Sequence, residues 1–303
     1  MKISETSHAE LMRCLRGNGL IIRVDPFTIH LKSDIESLAQ DISVAYGDFS
    51  LESADVFCDF HLQIFREQGV RKWFKPLARF YFDSRPSFVP LPARQAFTMF
   101  EWGLNWCIAA HCHQYLIIHA AVVERNGFAA IIPAPPGSGK STLCAALIQH
   151  GWRLLSDELA LLDINSLQVF GMARPVNLKN QSIELIRQFE PSSVFSKVVP
   201  DTTKGTIGLL KPPRESVERV KESAKPRWII VPKYTADSKP FLEKKSAAET
   251  FMLIAEQAFN YDVHGTLGFE TVGKLLDRCD TLQFTYSRLD DAVKVFDQLA
   301  GAV

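Results

Sequence analysis

The run Pro133-Ala134-Pro135-Pro136-Gly137-Ser138-Gly139-Lys140-Ser141-Thr142 constrains the fold more than any other stretch of the chain. An apolar segment, Phe128 to Ile132, precedes it, and Leu143 to Ile148 follow at a density that suits a buried helix. Strand, glycine-rich loop and helix in that order make a phosphate cradle. Gly137 and Gly139 let backbone N–H groups turn toward an anion, and Lys140 can reach the outer phosphates. The Ser141 hydroxyl can hold Mg²⁺, and the helix that follows aims its positive end at the same place. Ala134 stands where the pattern usually has its first glycine. Residues Ala134 to Thr142 are therefore the expected nucleotide-binding segment. The alternative is a chance turn, which a full pattern in this context disfavours.

Gly151 ends that helix, and "WRLLSDELALLD", Trp152 to Asp163, reads as strand, acidic corner, strand. Trp152 to Leu155 is expected to pair beside the phosphate-loop strand through a βαβ crossover, which would bring Asp157 and Glu158 to the phosphates. One carboxylate there can bind Mg²⁺, with Asp157 and Ser141 as expected ligands. The other can take a proton from an attacking hydroxyl. A solvated strand-end pair is the competing explanation. His119 interrupts the apolar run "LIIHAAVV". Alone, it would more often be a satisfied core histidine than a catalyst.

Formal net charge is zero across 303 residues, with 47% hydrophobic and 22% charged residues. Such a chain can bury one large core or two modest ones, and nothing in its bulk charge points to nucleic acid or a membrane surface. Six scattered cysteines suggest reduced thiols. No apolar run is long enough to span a bilayer, and the first residues lack a secretory pattern, so a cytoplasmic protein is expected.

Residues 1–92 read as a β-rich region that opens with a short polar helix. Residues 93–303 read as an α/β nucleotide-binding domain with a mixed sheet. Within it, Ala93 to His113 form a buried helix on which Trp102 and Trp106 share a packed face. Pro212-Pro213 and the charged run after them read as exposed loop. Arg174, Lys179 and Lys204 are basic groups able to steady a transferring phosphoryl, or merely surface charges. Cys107, His111, Cys112 and His113 raise a metal alternative, but no complementary ligand pair is visible.

His119, "APPGSGKS" and "GWRLLSDE" together resemble the bacterial HPr serine kinase/phosphorylase family. The branch called HprK-related kinase A is similar over nearly the whole chain, through "FEWGLNWCIAAHCHQYLIIHAAVVERNG", "VNLKN", "KGTIGLLKPP" and "AEQAFNY". This resemblance implies the HPr kinase/PEP carboxykinase-like P-loop fold. It implies phosphoryl transfer from ATP, with Mg²⁺, to a hydroxyl, expected to be a Ser of a protein or peptide. A small-molecule hydroxyl such as free serine is the alternative acceptor, and a non-catalytic nucleotide sensor is the alternative function. By the same register Glu158 is the proton acceptor, Asp157 its acidic neighbour, and His119 the support of that acid. Asn260 near the site and a setting beside surface-protein export systems rest on the branch alone. The family acid is usually Asp, so the division of roles between Asp157 and Glu158 stays open. Where the family has an acid before "KGTIGLL", Thr202 and Thr203 stand here, with Asp201 the nearest acid. Homo-oligomerisation also stays open.

Overall fold

A computed structural model of the chain describes residues 1–69, 74–135 and 137–301. The architecture is mixed α/β with several sheets, and it is laid out in chain order.

The first region is a six-stranded sheet: β1 (Leu20–Val24), β2 (Phe27–Ser33), β3 (Phe60–Arg66), β4 (Leu77–Phe82), and the two-residue strands β5 (Arg85–Pro86) and β6 (Leu91–Pro92). β2 and β3 are parallel, and the other pairs are antiparallel. Helices α1 (His8–Arg16) and α2 (Glu36–Ala45) contribute to its core. The region is thus less purely β than expected. In α2, Leu38, Ala39, Ile42 and Ala45 are buried at helical spacing, a stripe that flanking strand-like residues conceal. α1 likewise buries Leu11, Met12 and Leu15, so it is amphipathic and not simply polar.

α3 (Ala96–His111) buries its apolar stripe in the same core as β1–β4. Gly103 permits that approach: a Cβ there would meet the Phe80 ring at 2.2 Å. Trp102 is partly buried against this core, whereas Trp106 is 40% exposed in an edge cluster with Phe82, Phe88 and His111. The expected packed tryptophan face is correct for Trp102 alone.

The second region is built from β7 (Tyr115–Ile118), β8 (Ala120–Arg125), β9 (Phe128–Pro133), α4 (Lys140–Gln149), β10 (Arg153–Ser156), β11 (Ala160–Asp163), β12 (Val169–Phe170) and β13 (Val176–Lys179). It continues with α5 (Gln181–Phe189), β14 (Val199–Thr202), β15 (Gly205–Leu210), α6 (Arg214–Glu218), β16 (Lys225–Tyr234) and β17 (Phe241–Lys244). It ends with α7 (Ala247–Gln257), α8 (Tyr261–His264), α9 (Thr266–Arg278), β18 (Asp280–Tyr286) and α10 (Leu289–Gly301). The helix α6 occupies part of the stretch expected to be loop.

The central sheet runs β10-β8-β9-β16-β18-β17 and is mixed. β8 and β9 form a hairpin whose turn residues Asn126 and Gly127 both have positive φ, the geometry that matches strand twist. Two antiparallel three-stranded sheets, β12-β11-β7 and β13-β15-β14, complete the region.

The expected neighbour relation at β10 needs correction. β10 pairs antiparallel with β8, not with the loop strand β9. The crossover through α4 skips one strand, because the hairpin places β8 in the slot beside β9.

Candidate active site

The apolar run Tyr115 to Glu124 is not one strand. β7 belongs to a three-stranded sheet, β8 to the central sheet, and the chain changes sheets at His119. β10 and β11 make the same change at Asp157-Glu158. The register makes the two crossings face each other. Val122 pairs with Ser156 before the gap and Ile118 with Ala160 after it. Residues 119–121 thus lie opposite 157–159. Two side-by-side sheet crossings bring a histidine and two acids together, and the sequence separation between them becomes irrelevant.

At this corner His119 Nε2 lies 3.1 Å from Glu158 Oε2. The residue is anchored through its backbone and its ring is flanked by an aromatic neighbour. Its backbone N–H donates to the Gln257 carbonyl at 2.8 Å, and the Phe259 ring centroid lies 5.7 Å away. Asn260 fastens the segment after α7 to β7. Its Oδ1 accepts from Ile117 N at 2.9 Å, and its Nδ2 donates to Tyr115 O at 2.8 Å. It is buried and supports the strand next to His119 without lining the main pocket.

The loop between β9 and α4 has Gly137 at φ 87° and Gly139 at φ 89°. The left-handed conformation favours glycine at both positions. At Gly139 there is a second restriction, since a Cβ would come within 2.7 Å of the Tyr286 hydroxyl, which donates to the Gly139 carbonyl at 3.4 Å. Pro136, expected in this loop, lies outside the described residues.

Loop and corner share a pocket of about 540 Å³. His119, Ala134, Pro135, Gly137, Ser138, Gly139, Lys140, Ser141, Thr142 and Glu158 all line it. From the far side come Asn177 and Lys179 of β13, Asn180 and Ser182 at the start of α5, and Lys204 of the β14–β15 hairpin. Asn177, Asn180 and Ser182 were not anticipated. The signal for Asn177 is the alternation of Val176-Asn177-Leu178-Lys179, which puts Asn177 and Lys179 on one strand face while Val176 and Leu178 enter the core.

Asp157 lies just behind, on a polar cavity of about 10 Å³ that Glu158 and Asn177 also line. Its Oδ2 accepts from Asn177 N at 3.0 Å. Arg174, expected among the phosphate-steadying groups, lines this small cavity and is committed to Glu101 at 3.1 Å and to Asn105. Lys204 lines the pocket while its ammonium lies 4.9 Å from the Trp102 ring centroid, a cation–π contact that orients it. Asp201 is directed elsewhere: its carboxylate pairs with Arg94 at 3.4 Å and it does not line the pocket. Among the described residues no cluster of three His, Cys, Asp or Glu forms a metal site, and Cys107 and Cys112 are buried in the core of the first region.

Electrostatics separate the two acids. Burial, and next the charge of Glu158, push the Asp157 carboxyl up to about 6, against the pull of Lys140, Asn177 N–H and Ser141. Burial also works to raise Glu158. The hydrogen bond with His119 and the charges of Lys140, His119 and Lys179 together outweigh it and hold Glu158 down at about 2. Lys140 is lowered chiefly by burial, with both acids opposing.

Four buried polar atoms here lack a partner among the described residues: Lys140 Nζ, Asp157 Oδ1, Asn177 Oδ1 and Ser138 Oγ. Unpartnered buried polar groups are costly, and a group of them around one pocket fits a polar ligand that completes them. A phosphate would satisfy Lys140 and Ser138. A hard cation, which takes one or two carboxylates plus phosphate oxygens, would satisfy Asp157 with Ser141.

No protein-family model matches the chain, and no curated protein matches it. Among 26 solved chains that align with it is the Hpr(Ser) kinase/phosphatase from Coxiella burnetii. That alignment covers 62% of this chain and 99% of the other, at 13% identity and a TM-score of 0.27. A likeness that distant carries no argument about this chain's chemistry.

Proposed function

We propose that this chain is an ATP-dependent kinase of the HPr kinase/PEP carboxykinase-like P-loop class, with its site in residues 93–303. It moves a phosphoryl group to a hydroxyl, that of a serine in a protein or peptide. One observation carries this: a buried lysine and a buried carboxylate, each with an atom lacking a partner among the described residues, adjoin a glycine-lined pocket that a histidine-tethered glutamate also lines.

The residues divide the work. Backbone N–H groups of Ser138 to Ser141 and the Lys140 ammonium bind the phosphates, and Lys179 and Lys204 add positive charge across the pocket. Mg²⁺, when bound, neutralises charge between the outer phosphates, and Ser141 and Asp157 are the residues suited to hold it. The elevated Asp157 carboxyl is one that a cation would bring to its ionised form. Glu158 reaches the open pocket, stays ionised, and is fixed by His119, which suits it to orient the acceptor hydroxyl. In the transfer the hydroxyl oxygen bonds to the γ-phosphorus as the bond to the β–γ bridging oxygen breaks. The hydroxyl proton passes to Glu158 and ADP leaves.

The test uses γ-labelled ATP, Mg²⁺ and lysate of the source cell, with wild type beside Lys140→Ala. Lys140-dependent label on a discrete protein band is the expected result. Label confined to the small-molecule fraction would move the acceptor to a metabolite. Tight nucleotide binding with no transfer would leave a sensing module. Glu158→Gln is expected to bind nucleotide normally while turnover falls about 10²–10⁴-fold; unchanged turnover would move the proton-accepting role to Asp157.

A further inference from the structure

The phosphate pocket offers no flat wall for a base. Its lining among the described residues is glycine, alanine, proline, lysine, serine, threonine, asparagine and acid, with no aromatic ring apart from His119. A second and larger cavity, about 880 Å³, opens on the other side of the same loop and shares Gly137, Gly139, Thr142 and Ser182 with the first. Its volume falls in the range of small-molecule sites. Its walls differ in kind. Leu185 and Phe189 come from α5, and Tyr234 and Tyr286 from the ends of β16 and β18.

These walls are arranged for a flat ring. Tyr286 is buried, stacked on Phe284 at 5.2 Å, and braced against Gly139, so it fixes the wall to the loop. Tyr234 meets it edge-on at 6.1 Å and is 56% exposed, and its Cβ would lie 3.9 Å from a Cβ at Gly139. Leu185 leaves 45% of its surface uncovered on the opposite helix. α5 also presents Gln181 and Gln188, whose amides suit the polar edge of a base or a ribose hydroxyl.

We infer that this second cavity holds the nucleoside of the phosphoryl donor, with Tyr234 and Leu185 as its two contact walls. The inference rests on the phosphate assignment proposed above and deepens it. The acids and Lys140 lie with the first pocket, so the reacting end of a triphosphate belongs there. The rest of the donor must leave past Gly137, Gly139 and Thr142 of the loop, which with Ser182 are the residues common to both cavities.

The test measures binding of the full chain to Mg-ATP and to Mg-tripolyphosphate by titration calorimetry. Tripolyphosphate carries the phosphates without the nucleoside. Wild type is expected to bind ATP at least about tenfold more tightly, the scale of one well-packed aromatic contact. Leu185→Trp, which fills the cavity, and Tyr234→Ala, which removes a wall, should each erase most of that advantage. Both should leave tripolyphosphate affinity within about twofold, which also shows that the variants are folded. Equal affinity of wild type for the two ligands would overturn the inference, as would an ATP advantage that survives both substitutions. Lys140→Ala should weaken both ligands together. If it weakens neither, the phosphate assignment itself fails, an outcome distinct from loss of the nucleoside wall.

Discussion

Two buried charge clusters lie on the central region and behave oppositely. At one end of β8, Glu124 and Arg153 are almost fully buried and, among the described residues, neither keeps a buried side-chain polar atom without a partner. Arg153 Nε donates to Glu124 Oε2 and its Nη1 to the Arg219 carbonyl at 2.8 Å, while Glu124 Oε1 accepts from Gly127 N at 2.6 Å. At the other end, Lys140 and Asp157 are buried to a similar degree, yet Lys140 Nζ and Asp157 Oδ1 have no partner among the described residues. The first cluster locks a hairpin turn to its neighbouring strand. The second keeps binding capacity in reserve at a cost to stability. Burial of charge alone therefore does not mark a site; burial of charge with unfilled hydrogen-bonding capacity does.

The sharpest way to break this comparison is at the satisfied pair. Glu124→Ala leaves Arg153 buried without its counter-charge and should lower unfolding free energy by about 3–5 kcal/mol, read by urea denaturation. Folded protein should still bind nucleotide. A loss under about 1 kcal/mol would mean that the pair is no structural lock.

Next comes the unsatisfied pair. Lys140→Met removes a buried ammonium that has no hydrogen bond among the described residues, so its melting temperature should equal or exceed that of wild type. Phosphoryl transfer should meanwhile fall about 10²–10³-fold. A marked drop in melting temperature would place Lys140 among the structural charges.

Asp157 supplies a pH test. Its carboxyl binds a proton more tightly folded than unfolded, so ionising it destabilises the fold. That destabilisation grows as pH rises from 3.8 toward about 6 and is complete above it. Glu158 works in the other direction: the stability it contributes is present above 4.5 and is lost as pH falls toward about 2. Asp157→Asn isolates the first effect. Relative to wild type it should gain about 2–3 kcal/mol between pH 4 and pH 7. A difference that does not vary with pH would show that Asp157 titrates normally.

The smallest effect is expected at His119. His119→Asn weakens the hold on the Glu158 carboxylate, so the acidic limb of the rate profile should move to higher pH. The rate at neutral pH should fall about tenfold, the worth of one charge-assisted hydrogen bond. A lower rate with an unmoved acidic limb would assign His119 a packing role only.

Much of this site is legible before any coordinates. Gly137, Gly139, Lys140 and Ser141 are written as a local pattern, because a strand–loop–helix unit closes within a few residues of itself. Asp157 and Glu158 are legible as a strand-end pair. The helix α2 is not, because its apolar residues are short of contrast with the strand-like residues around it. Asn180 and Ser182 are equally hidden, since polar residues just past the end of a short strand look like any turn; Asn177 shows only through the alternation of its strand. Trp106 misleads in the opposite sense: an aromatic at i+4 from Trp102 suggests a buried face, but α3 rotates that position to the edge of the sheet.

By itself the sequence determined the mixed α/β class, the glycine-rich strand–loop–helix unit and the residues able to hold charge beside it, because these depend on local backbone chemistry and side-chain type. Only the tertiary structure decided that β8 separates β9 from β10, and that the two sheet crossings meet so that His119 reaches Glu158. It also decided that Arg174 is committed to Glu101 and Asp201 to Arg94, away from the pocket. Pairing partners, sheet changes and the filling of hydrogen bonds depend on which distant segments are packed together. No spacing along the chain records that.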